Sequence, residues 1–377
     1  MRREALIRTR KSAGYSQESL AEVLGVDSSS ISNWERGRTE PVPYKRPKLA
    51  RLLGISRESL EELLDGQAPR AALEASVGEA SEATVNELRR RLEHVQAQYD
   101  IEPSTTLLAT ASRTHGQITA LRHQTRTTRQ RRDAVALEAE SATFMGQLVW
   151  DASQRQDHRS PRRYFDQAVQ AARQSGDKVA EAYATLRTSY LSLYGEKIAE
   201  DGLRTAQQAA STARGASPAL TGLALLHTAE ANAMLGHRAA CDQALDDART
   251  QLSLVHDVDL AAEYLTPAEI DRMAGSCYLF LGLANAAERT LQLAVSALQH
   301  KKKSQTIVLG NLSLAYIQQS EIHGATDTLH RSIDTLETSR GGGGLTLAFE
   351  AGRKLSPWRH EHAVQELYDR LFTLMTG

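Results

Sequence analysis

A chain of 377 residues with a formal net charge of -1, 41% hydrophobic and only 5% aromatic residues exceeds one ordinary core, so two or more domains are expected. Sparse aromatics beside abundant Ala, Leu, Gln and Arg favour helices over sheets. Its only cysteines, Cys241 and Cys277, exclude a disulfide framework or a thiol-built zinc cluster, and no run of about 18 apolar residues suggests a membrane span or a signal peptide.

The charge is unevenly spread. Residues 1–57 hold twelve Lys/Arg against six Asp/Glu, which points to an anionic partner for the front of the chain. The first 64 residues parse as five short helices. The first, about Arg2 to Ser12, ends before Ala13-Gly14. Ser16 is placed as N-cap of the second, with Tyr15 and Leu20 at the staple positions, and Gly25 stops it. Val26, Asp27 and Ile31 repeat the device for a third helix, so helices two and three form a helix-turn-helix. A fourth follows the Pro41/Pro43/Pro47 loop with Leu49, Leu52 and Leu53, and a fifth runs from Ser56 to Leu64.

At about 100° per residue, Ile31 and Trp34 share a buried face of the third helix. Ser29, Ser32, Asn33 and Arg36 then fall on the opposite side. Serine lowers helix propensity by a few tenths of a kcal/mol, roughly, relative to Ala, so a face that is small and polar at its start and cationic near its end suits close approach to another surface. The same residues also read as the solvated side of a helical domain that binds protein.

The stretch GYSQESLAEVLGVDSSSISNWERGRTEP resembles the Cro/phage-repressor-like (XRE) helix-turn-helix family, through Ser16, Gln17, Gly25, Trp34, Glu35 and Gly37. The resemblance implies that the third helix enters the major groove. Ser28, Ser29, Ser32 and Asn33 would then face base edges, Asn33 most specifically because an amide pairs bidentately with adenine. Gln17 would reach the backbone or an outer base, and Arg36, Arg38 and Lys45 would hold phosphates. The family also implies an internal Arg10–Glu35 ion pair.

Residues 66–83 are Ala/Gly/Ser/Glu-rich without apolar period and read as a linker. The connector, residues 84–135, opens with an amphipathic helix (Val85, Leu88, Leu92, Val95, Tyr99). It continues through a stretch from Arg113 to Arg132 with six arginines and no acid, where Arg122, Arg126 and Arg129 line one face. Phosphate contacts, a solvated face or contact with acidic repeats all fit that face.

Residues 136–340 show a degenerate repeat of helix pairs that resembles the tetratricopeptide pattern, in intervals nearer 40 residues than 34. Three units are in phase: Leu225, Ala229, Gly236, Cys241, Leu245 and Ala248; then Gly275, Tyr278, Gly282, Ala287, Leu291 and Ala294; then Leu309, Leu312, Ser313, Tyr316, Ala325, Leu329 and Ser332. Two earlier units, about Ala136 to Gly176 and Lys178 to Gly215, fit loosely. The expected fold is all-α: a five-helix repressor-like head followed by a TPR-like α-solenoid.

Such stacks present a concave groove. By phase, His227, Glu230, Arg272, Ser276 and Asn311 point into it, as ligand contacts or as plain surface polar groups. Gly341 to Gly344 read as a flexible break before C-terminal capping helices in residues 345–377, where Ser356-Pro357 is placed as a helix start.

No nucleotide-binding loop of the G-x-x-x-x-G-K-[ST] kind occurs, His360 and His362 cannot share a helical face, and no nucleophile or carboxylate-pair signature stands out. No enzyme, cofactor or metal is expected. The layout is similar to peptide-responsive regulators of Gram-positive bacteria. That resemblance implies a cytoplasmic, nucleoid-associated bacterial homodimer on an inverted-repeat double-stranded DNA operator, a repressor in quorum sensing, with a signalling peptide or small molecule as ligand and no membrane partner. A DNA-binding scaffold whose solenoid holds a protein partner is the alternative.

Overall fold

The computed structural model describes residues 3–56, 60–61, 63–64, 70–124, 128–339 and 342–376. The described residues are helical without strands, and no helix is long and apolar enough to cross a membrane. They form two compact units, residues 1–82 and 83–377.

In the first unit α1 (Glu4–Ser12), α2 (Gln17–Leu24), α3 (Ser28–Glu35) and α4 (Arg46–Leu53) surround Leu6, Leu20, Leu24, Ile31, Trp34, Leu49 and Leu53. The start of α2 is a reciprocal capping box: Ser16 Oγ accepts from the Ser19 amide at 3.0 Å and Ser19 Oγ from the Ser16 amide at 2.8 Å. Two of the orphan donors at the helix start are thereby satisfied. Gly25 closes α2 at φ +65°, a left-handed conformation that a side chain would strain. Asp27 occupies the cap position of α3 with extended backbone, but its side chain makes no cap hydrogen bond; there the device repeats in the backbone alone. The expected fifth helix lies partly outside the described residues.

The stretch expected as a linker differs. α5 runs from Arg70 to Ala97, because a segment rich in Ala and Glu, with few breakers, has high intrinsic helix propensity even without an apolar face. Helix pairs then follow in the second unit: α6 (Ser104–Gln124), α7 (Thr128–Ala152), α8 (Arg159–Ser175), α9 (Lys178–Tyr190), α10 (Ala199–Ala213), α11 (Pro218–Met234), α12 (Arg238–Leu252), α13 (Pro267–Phe280), α14 (Ala284–Ala297), α15 (Lys302–Gln318), α16 (Ile322–Ser339), α17 (Gly342–Lys354) and α18 (His362–Thr376). The three in-phase repeats are α11/α12, α13/α14 and α15/α16. Their small positions Ala229, Cys241, Ala248, Ala287, Ala294 and Ala325 are buried where paired helices touch.

The odd-numbered helices form the inner layer. α7 packs on α9, α9 on α11, α11 on α13, α13 on α15, and α15 on α17; α17 in turn packs against α7. The inner layer therefore closes into a ring of six helices instead of leaving an open groove. The glycine run makes that closure possible. Gly342, Gly343 and Gly344 are buried in the first turn of α17, not in a flexible break. A Cβ on Gly343 would collide with the Arg155 guanidinium and one on Gly344 with Thr306. Glycine here supplies close approach between helices. At the C-terminal end Ser356–Trp358 is a single 3-10 turn, and the last helix starts only at His362.

Candidate functional site

The first candidate surface is the outer face of α3. Burying Ile31 and Trp34 turns Ser28 and Ser29 outward as exposed residues, with Ser32 and Asn33 half-buried behind them. Arg36 and Arg38 stand exposed just past the helix, where cations complement the negative end of its dipole. None of these six side chains makes a hydrogen bond or ion pair with another described residue, so the structure brings them together with their polar atoms unengaged.

The other two expected DNA contacts are engaged within the fold. Lys45 Nζ donates to the carbonyls of Leu24 and Gly25, at 3.0 and 2.8 Å. It thus satisfies the orphan acceptors at the end of α2, which leaves one of its three N–H donors for a phosphate. Gln17 is half-buried and donates through Nε2 to Glu35. The opposite oxygen of Glu35 accepts from Arg10 Nε at 2.6 Å, and Arg10 and Glu35 are 6% and 3% exposed, the buried ion pair that the family resemblance implied. Arg3 and Arg46 are likewise structural, through the Trp34 and Thr39 carbonyls and through Glu40 and Glu61 respectively. Arg8, Lys11 and Arg51 join Arg36 and Arg38 as exposed cations without an ion pair among the described residues.

The basic stretch of the connector resolves differently. Arg122 donates to Glu138 and Gln174, which favours contact with acidic repeats; Arg126 lies outside the described residues.

The second candidate site is the lining of the helical ring. His227, Glu230 and Ser276 meet there: Ser276 Oγ donates to Glu230 Oε1 at 2.5 Å, and Tyr194 donates its hydroxyl to the other oxygen of the same carboxylate. Tyr194 has one proton and gives it to Glu230. At 2.7 Å from His227 Nδ1 it must therefore accept from the imidazole, which fixes the neutral tautomer with a bare Nε2. That Nε2 is buried and makes no hydrogen bond among the described residues. Burial pushes the His227 imidazole below its ordinary value, in agreement with a neutral ring. Burial also acts against the Glu230 charge, but the nearby His227 imidazole and the hydrogen bonds from Ser276 and Tyr194 prevail and hold the carboxyl below its usual range. Arg272 pairs with Glu269 beside them. Asn311 is buried in α15 and makes no side-chain hydrogen bond to another described residue. All five expected groove residues thus lie on inner helices, four of them in one polar cluster.

Sequence reasoning missed the other half of this lining. Tyr183, Arg187, Tyr190 and Tyr194 follow at spacings of four, three and four, so they share a helical face. α9 carries the first three, and a π-helical extension over Leu191–Glu196 aims the fourth. Such extensions concentrate at functional sites. The Arg187 guanidinium lies 4.9 and 5.0 Å from the Tyr183 and Tyr190 rings, and the Tyr190 and His227 rings are 4.3 Å apart. The signal was available: eleven tyrosines occur in the chain, and three of them with an arginine mark one stripe.

Further along the ring Tyr99 donates to Asp151, Arg155 lies 4.4 Å over the Trp150 ring, and Lys303 stands 3.5 Å over Tyr99 while donating to Ser104.

Residues 6–60 match the helix-turn-helix family model HTH_3. No curated protein matches the sequence. Among solved structures, the chain is similar to a Rap protein complexed with competence and sporulation factor, at 10% identity over 77% of this chain and 98% of that one, with a TM-score of 0.45. It is also similar to a signal-transduction ATPase with numerous domains and a tetratricopeptide repeat sensor from Pyrococcus horikoshii, at 12% identity over 92% of this chain and 55% of that one, with a TM-score of 0.43. The first unit of this chain is a helix-turn-helix domain of the XRE type.

Proposed function

We propose that this chain is a sequence-specific DNA-binding transcriptional regulator, without enzymatic activity, that acts as a homodimer and senses a signalling peptide or small ligand through its helical ring. One observation carries the reading. The outer face of α3 gathers two exposed serines, Ser32, Asn33 and two exposed arginines, none of them bonded through its side chain to another described residue, on a helix whose other face is pinned by Ile31 and Trp34. Short hydroxyl and amide side chains there suit base edges, and Arg36 and Arg38 suit phosphates.

The mechanism is geometric. Two recognition helices must lie about one DNA turn, roughly 34 Å, apart to fit an inverted repeat. A ligand with unequal affinity for two arrangements of the ring shifts the population that meets this spacing. The buried polar cluster at Glu230 is the support for sensing, since an inner lining made only for packing would be apolar.

The experiment is selection of duplexes from a random pool by the full-length protein, followed by affinity measurements across a salt series. An enriched inverted repeat bound at least 100-fold tighter than random duplex at physiological salt is the expected result. Equal affinity for both would sink the reading.

A further inference from the structure

We propose that the inner face of the ring binds a small carboxylic acid, its carboxylate held by Arg187 and a hydroxyl or amine of the same molecule donating to His227 Nε2. This deepens the ligand-sensing reading and rests on it.

Three observations point there. Arg187 has no carboxylate partner among the described residues: Nη2 donates to the Tyr183 hydroxyl at 2.5 Å, Nη1 makes no hydrogen bond, and Nε is buried without one. A guanidinium cannot lose its proton, and a half-buried cation whose Nε is shut off from water is costly without a counter-ion. The neighbouring charges do not balance it, because Arg272 is paired with Glu269 and Glu230 is satisfied by Tyr194 and Ser276. A carboxylate would complete Arg187 through charge-assisted, paired hydrogen bonds.

The second observation is His227 Nε2. The residue is 2% exposed, its tautomer is set by Tyr194, and the remaining lone pair has no donor. Buried polar atoms without a partner are few in native proteins and tend to mark ligand, water or catalytic positions. His227 and Arg187 both lie against the Tyr190 ring, so a small molecule bound at that ring would have both polar groups at hand, with the aromatic ring suiting an apolar body.

The third is the closure of the ring. α17 packs on α7 through Gly342 and Gly343, so the inner layer has no open side along which an extended chain could lie across successive repeats.

The test uses full-length protein and 4-hydroxybenzoate as probe, by titration calorimetry and thermal melting. Saturable binding with a raised Tm is expected, weakened at least tenfold when the probe is 4-hydroxybenzamide, which keeps the shape and loses the charge, and weakened also for benzoate, which lacks the donor for His227. Arg187→Gln should lose binding of the acid at least tenfold. Arg238→Gln, on the outer helix α12, should bind as wild type does.

No saturable binding, equal binding of acid and amide, or undiminished binding to Arg187→Gln would overturn the proposal. The acid–amide comparison stands on wild-type protein and decides the matter even if Arg187→Gln does not fold. Pentaalanine with a free C-terminus, bound with the same dependence on Arg187, would give the carboxylate to a peptide end and overturn the small-molecule assignment. Binding of the probe without any change in affinity for the selected duplex would leave this site standing and sink the sensing function alone.

Discussion

Arg10 and Gln17 grip opposite oxygens of one buried carboxylate, that of Glu35. The three residues come from α1, α2 and α3, so a single charged group ties the helix-turn-helix to the helix before it. Arg10 also donates to the Tyr15 carbonyl at 2.6 Å, which fixes the turn into α2. Glu35→Ala would leave the Arg10 guanidinium enclosed without a counter-ion. Breaking a buried pair by removing one partner costs about 3–5 kcal/mol. Amide exchange read peptide by peptide should therefore accelerate across residues 4–35, with the helical ring unaffected. Unchanged exchange in the head would show that the pair does not hold it.

On DNA, the head residues separate into three behaviours. Asn33→Ala should cost about 1–3 kcal/mol of discrimination at one base pair, with little change in affinity for random duplex. Arg36→Ala and Arg38→Ala should weaken binding to every sequence alike and each reduce the slope of log affinity against log salt by about one. Lys45→Ala should show a smaller salt effect than either and should loosen the end of α2, because two of its donors serve the Leu24 and Gly25 carbonyls. Competition binding against a selected duplex over a salt series reads all three. An Asn33→Ala protein with unaltered preference would move base reading elsewhere on α3.

Much of this head was legible because its signals are local. Ser16, Gly25 and the Ile31–Trp34 spacing act within one or two turns of chain, and each states a helix end or a buried face by itself. Lys45 and Gln17 were legible only as a cation and an amide near the right place. Their engagement with Leu24, Gly25 and Glu35 depends on how α2, α3 and the loop before α4 pack. The ring shows the same limit more strongly. α11 and α15 are buried nearly all round, so apolar periodicity cannot tell which side faces the axis. The repeat phase still placed His227, Glu230, Arg272, Ser276 and Asn311 on inner helices. The run from Gly341 to Gly344 signals flexibility by composition; Gly341 lies outside the described residues, and for the other three only the packing of Arg155 against Gly342 and Gly343 and of Thr306 against Gly344 shows otherwise.

That packing makes its own test. Gly344→Ala would drive a Cβ into Thr306, and forcing extra volume into a packed contact costs about 1–3 kcal/mol. Gly116, exposed within α6, has open space around its Cβ position, and there Ala should stabilise by about 0.5–1 kcal/mol. Thermal melting of the two variants should shift in opposite directions. A Gly344→Ala protein as stable as wild type would mean that α17 does not pack closely against Thr306 of α15.

Acid should weaken the ring through His227. Burial pushes its imidazole below the ordinary value of 6.5, so between the two values the unfolded chain binds a proton that the folded chain refuses. The stability tied to this group is whole above about pH 6.5 and is lost as pH falls toward the folded value. One proton gives at most about 1.4 kcal/mol per pH unit. Glu230, held below its ordinary 4.5 by its hydrogen bonds, adds a loss of the same sign only below that pH. Tyr190 and Tyr194 face the imidazole from α9 and its extension, and Arg272 and Glu269 from α13, yet none of these four changes charge between pH 5.5 and 6.5. His115, also pushed down by burial, contributes a second slope, so the comparison must be by difference. His227→Gln should melt with a shallower dependence on pH than wild type from pH 6.5 to 5.5, and His115→Gln likewise. An unaltered slope in His227→Gln would mean that the imidazole is protonated within the folded ring, and with it would fall the tautomer that leaves Nε2 bare.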